Sequence, residues 1–160
     1  MPQPTSVPTN PTVVTALETE KGCVHWYDFN NNSDPNAIKK IRPCIIIARS
    51  NPKSHRVIIS PITDLTGYVE HGKLKYPYHA PLLVADHPFL DKDSVILLDQ
   101  TYTIEKQRLY QEWYMGKVND TSEIDKAIIY NYDLYEAIYT ELRDLLTQFE
   151  PLHKTKFSRK

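Results

Sequence analysis

The chain has 160 residues, 41% of them hydrophobic, and a formal net charge of -1 at pH 7. That length suits one domain with its own core, and the near balance of charge excludes a basic field spread over the whole surface, so any contact with a polyanion must be local. Cys23 and Cys44 are too few for a disulfide framework and fit no zinc spacing, no apolar run reaches membrane-span length, and the N-terminus lacks the order of a secretion signal, which together read as a cytoplasmic protein with two buried free thiols.

Residues 1–12, rich in Pro, Thr, Ser and Asn, read as a disordered tail. Residues 13–20 suggest a short helical lead-in. Lys21-Gly-Cys-Val-His-Trp-Tyr-Asp-Phe29 predicts a first strand opened by a glycine turn, and residues 30–37 form a loop leading toward Arg42.

Residues 39–63 organise the rest. Two β-branched runs, 41–48 and 57–62, flank a polar link with a proline, which predicts strand, turn and strand. Proline removes a ladder donor, so Pro43 and Pro61 are expected at strand ends or edges. Antiparallel pairing brings Arg42 near Thr63 on one rim of a small sheet. From Pro35 to Thr63 the chain carries lysines and arginines and no acid.

Residues 64–79 form a long irregular stretch with Tyr68, Tyr76 and Tyr78. Loops of that length in small domains are usually functional or mobile. Strands are predicted over 80–85, 94–98 and 113–118, with an extended 101–104 and one helical turn over 105–110. Asp120-Thr-Ser-Glu123 has capping-box spacing, and one helix is predicted from about 121 to 149 on its apolar stripe, stopped by Pro151. Residues 151–160 form a basic tail. The order predicts a mainly β protein with helices (α+β): a single domain over 13–150, built as a small, partly open β-barrel over about 21–118 with a long C-terminal helix.

The ordered segments resemble the MazF/PemK (Kid) toxins of type II toxin–antitoxin systems. The matching pieces are residues 21–29, Ile41-Arg-Pro-Cys-Ile-Ile-Ile47, Ile59-Ser-Pro-Ile-Thr63, Leu90-Asp-Lys-Asp-Ser94, Leu98-Asp-Gln100, Thr103-Ile-Glu-Lys-Gln-Arg-Leu109 and Met115-Gly-Lys-Val118. No piece is specific alone; the ordered set is. The resemblance implies an SH3-like barrel and a homodimer inhibited by a cognate antitoxin. It implies cleavage of single-stranded RNA or mRNA without metal or cofactor, leaving a 2′,3′-cyclic phosphate and a 5′-hydroxyl. It implies Arg42 and Thr63 as catalytic residues and Asp99 as a participant in some members. Two positions depart from the pattern: Ala37 stands where many members have an acid, and Leu97 where some have an arginine.

The residues support that chemistry in physical terms. Attack by the adjacent 2′-hydroxyl builds negative charge on phosphorus oxygens. A guanidinium offers a rigid fork of donors that stays charged, and a fixed cation stabilises that charge. The threonine hydroxyl can donate to a non-bridging oxygen. Asp99, Asp64, Asp34 and His55 are open candidates for the proton acceptor. Lys39, Lys40, Arg49, His55, Arg56 and Asp64 are candidate RNA contacts, and Trp26, Tyr27, Tyr76 and Tyr78 candidate stacking partners. The plainer readings are an Arg42 paired with a nearby acid, a Thr63 that serves a turn, an Asp99 that holds structure and a basic run that guards a sheet edge. His71, His79 and His87 recur every eight residues, which matches no standard metal site. The alternative function is a non-catalytic binding or regulatory protein on the same fold.

Overall fold

The structure, a computed structural model, describes residues 2–30, 35 and 40–157, with side chains as far as residue 149. Nine strands are present among the described residues: β1 (Cys23–Asp28), β2 (Ile41–Ile46), β3 (Arg56–Asp64), β4 (Val69–Glu70), β5 (Lys73–Leu74), β6 (His79–Leu82), β7 (Ser94–Leu97), β8 (Tyr102–Glu105) and β9 (Tyr114–Lys117). Two helices follow, α1 (Ser122–Asn131) and α2 (Tyr135–Phe157). The main sheet runs β6-β7-β3-β2-β1-β9, with β8 also on β3, and is antiparallel throughout.

The sheet curls and is covered on both faces, which is why its strands read as nearly unbroken apolar runs. Alternate residues serve two core layers. Val24, Ile45, Ile62 and Ile96 face one, closed by Ile124 and Ala127 of α1. Cys23, Cys44, Ile46 and Ile59 face the other, with Tyr27, Phe29 and Leu109. Both thiols are buried and free, and burial pushes that of Cys44 far up. Gly22, at φ +91°, opens β1; a Cβ there would meet the Val118 carbonyl oxygen at 2.2 Å.

Pro61 is not at a strand end. It lies inside β3, opposite Cys44. On the other edge of β3, pairing with β8 stops at Ile59 and pairing with β7 begins at Ile62. The missing donor therefore falls in the gap where the strand changes partner, a place proline tolerates. The 64–79 stretch is also more ordered than its composition suggests, containing a 3-10 turn at Thr66–Tyr68 and the β4–β5 hairpin. Near the N-terminus Gln3 Nε2 donates to the Ile41 carbonyl at 2.8 Å, and the Thr12 carbonyl accepts from the Gln111 N–H at 2.9 Å.

The single predicted C-terminal helix is two. Asp133 sits at φ 51°, the Leu134 N–H reaches the Ile129 carbonyl and the Asp133 N–H the Tyr130 carbonyl. That pair of bonds is a Schellman close with aspartate in the left-handed position usually held by glycine. The capping box does not close either. Thr121 is the cap residue, Asp120 Oδ1 accepts from the Ser122 N–H at 3.0 Å, and Glu123 pairs with Lys126. α1 is tied down by its buried face, by the Lys21–Asp125 ion pair and by Asn131 Nδ2 donating to the Tyr78 carbonyl. Among the described residues no helix is long and apolar enough to cross a membrane.

Candidate active site

β1 and β3 flank β2 and fix Arg42. On one side Arg42 pairs with Tyr27. On the other, β2 and β3 pair Cys44 with Pro61, Ile45 with Ser60 and Ile46 with Ile59. Two more steps of that register set Arg42 across from Thr63, with both side chains on one face. Both residues are half-buried and line one cavity of about 310 Å³. Trp26, Ile62, Leu90 and Met115 give it apolar walls, and Lys40, Asp64, Asp91 and Lys92 also line it.

Burial lowers the Arg42 pKa and the nearby Tyr68 phenol partly offsets this, but no such shift discharges a guanidinium. Among the described residues no carboxylate pairs with Arg42. Its Nε is buried without a protein acceptor, and so is Trp26 Nε1. A buried unmet donor costs about 1–3 kcal/mol, which an acceptor atom entering the cavity would recover.

Asp64 is engaged already. Its Oδ2 accepts from Lys92 Nζ at 2.8 Å and its Oδ1 from the Thr66 N–H at 2.8 Å. The Lys92 and Thr66 hydrogen bonds hold this exposed carboxyl well below the usual carboxylate range. Both of its oxygens are thus engaged by Lys92 and Thr66. Lys92, which no reading of the basic run included, enters because β7 pairs with β3, placing Ser94 opposite Asp64.

Several predicted residues lie elsewhere. The register puts Val95 opposite Thr63, and Asp99 lies beyond the end of β7, in the turn that follows Leu97, and does not line the cavity. There its Oδ1 meets Nε2 of buried His79 at 3.1 Å, a structural contact. Arg49, His55 and Arg56 are exposed at the opposite end of the β2–β3 hairpin. Arg56 is seven residues from Thr63 along β3, roughly 23 Å. The basic run is therefore not one rim: adjacency in sequence placed its halves at opposite strand ends. Tyr76 and Tyr78 stack on each other at 5.0 Å and surround His79, and Tyr27 packs in the core beneath the Arg108 guanidinium. Of the proposed stacking residues only Trp26 lines this cavity. Lys39, Asp34 and Ala37 lie outside the described residues. Among the described residues no three His, Cys, Asp or Glu side chains are grouped to hold a metal ion.

Comparison with known proteins bears on the family and on the fold. The family description "PemK-like, MazF-like toxin of type II toxin-antitoxin system" matches residues 20–131. The endoribonuclease MazF of Staphylococcus epidermidis is 36% identical over 90 residues, which cover 55% of this chain and 70% of that protein. Among solved structures, a mycobacterial endoribonuclease in complex with its cognate antitoxin superposes with a TM-score of 0.53 at 18% identity, covering 72% of this chain and 95% of that one. MazF of Deinococcus radiodurans gives 0.51 at 15% identity, covering 72% and 94%. At such identities the structures speak for the fold, and the sequence matches for the family: this chain belongs to the PemK-like, MazF-like toxins of type II toxin–antitoxin systems.

Proposed function

We propose that this toxin is an endoribonuclease that cuts single-stranded RNA without a metal, at the Arg42–Thr63 lip. The observation that carries the reading is a half-buried guanidinium, unpaired with any described carboxylate and with one donor unmet, set across from a hydroxyl in a nucleotide-sized cavity. The ribose 2′-oxygen attacks the adjacent phosphorus and passes its proton to a solvent water. The P–O5′ bond breaks, and the departing oxygen takes a proton from water. The products are a 2′,3′-cyclic phosphate and a 5′-hydroxyl. Arg42 donates hydrogen bonds to the non-bridging oxygens as their charge grows and stays protonated throughout. Thr63 donates to the same phosphate and fixes its orientation. Lys40 and Lys92 attract the backbone at the cavity mouth. Asp64 lines the cavity with its carboxylate held by Lys92, whereas Asp99 and His55 do not line it.

The family assignment, and the structural relative solved with its antitoxin, support a cognate antitoxin as partner; the homodimer that the family resemblance implies is part of the same proposal. The test is purified protein with single-stranded RNA in EDTA, the cut ends being read by sequencing. Cyclic-phosphate ends that vanish with Arg42→Ala while the fold persists are expected. Equal cutting by that variant overturns the mechanism.

A further inference from the structure

We infer that α2 is a self-association helix, which pairs antiparallel with α2 of a second copy of this chain. The helix is 23 residues long, and the matched family region ends at residue 131, before it begins. Every described residue of α2 from 135 to 149 is exposed except Thr140. Yet Tyr135, Ile138, Leu142, Leu145 and Phe149 follow a strict three–four spacing and are 58, 37, 55, 48 and 57% exposed. That spacing is the 3.5-residue period of a helix seam. Helices in proteins draw most of their stability from packing an apolar face, so the stripe needs cover. A helix that folded back on its own barrel would show one buried face, and α2 shows none.

The pattern selects a second copy as the cover. With the crossing between residues 143 and 144, Leu142 meets Leu145 of the partner subunit and Ile138 meets Phe149 of the partner subunit, small against large. On one flank Tyr139 meets Leu146 of the partner subunit. On the other Glu141 meets Gln148 of the partner subunit, so charge and apolar surface are sorted. A parallel pair would stack Phe149 on Phe149 of the partner subunit and set Glu141 beside Leu146 of the partner subunit. Alongside the stripe stand Glu136 and Glu141, and Asp144 is paired with Arg143. The stripe and its flank expose on the order of 800 Å² per copy, the share each partner gives to a standard specific interface.

The inference stands apart from RNA cleavage and from any pairing of barrels. The test is sedimentation equilibrium of the full chain beside Leu142→Glu/Leu145→Glu, whose replaced side chains touch no core. The double variant should lose one association step, weakened at least about a hundredfold, with near-UV circular dichroism unchanged. Ile138→Cys mixed with Phe149→Cys should form a mixed disulfide under mild oxidation. Identical association of wild type and double variant overturns the inference. So does self-crosslinking of Ile138→Cys alone, which marks a parallel pair, or an α2 contact that forms only when an antitoxin is added.

Discussion

At one end of the β2–β3 hairpin Arg42 is half-buried across from Thr63, with a donor unmet; at the other, Arg49 and Arg56 stand in solvent. The residue type is the same, and the surroundings differ. Water screens an exposed guanidinium and lets it move, so it adds little to any one transition state. A guanidinium held between two strands, with water partly excluded, faces a phosphate already oriented and loses little order on meeting it. Position in the sheet, and not the density of cations along the chain, separates the half-buried arginine from the solvated ones.

Substitutions can break that comparison, starting with the largest effect. Arg42→Ala should lower the rate of RNA cleavage by about 10³-fold or more, and Arg42→Lys should recover little because an ammonium lacks the planar fork; single-turnover assays on a defined oligonucleotide read both. Thr63→Val keeps the shape and removes the hydroxyl. Its cost should be about 10- to 100-fold in the chemical step with little change in melting temperature. Asp64→Asn sharpens the picture through stability. Its folded-state pKa is depressed, so the carboxylate stabilises the fold above the usual carboxylate range and loses that contribution as pH falls through the depressed value. A small gap in urea midpoint between wild type and Asp64→Asn should therefore be present at pH 7 and close in strong acid. Arg49→Ala/Arg56→Ala should cut within about threefold of wild type at moderate salt. If that pair costs as much as Arg42→Ala, the two ends are equivalent and the comparison falls.

Much of the barrel was readable because its strands are short β-branched runs with punctuated ends. The Arg42–Thr63 juxtaposition followed from counting residues across one hairpin, the most local of long-range contacts. What failed needed knowledge of partners. Lys92 joins the cavity because β7 pairs with β3 in a register no local signal encodes, and Asp99 falls in the turn beyond β7. Pro61 sits mid-strand because the neighbouring strand changes there. The break between α1 and α2 was hidden because aspartate, not glycine, takes the left-handed position, so periodicity ran straight through Asp133.

The two sulfurs sealed against the aromatic layer give the barrel an internal clock. An alkylating reagent cannot reach Cys23 or Cys44 in the closed sheet, and burial keeps both in the unreactive protonated form. Their labelling rate thus measures how often β1 and β2 part, while a cysteine introduced on the outer helix reacts at once and can carry a probe without competition from within.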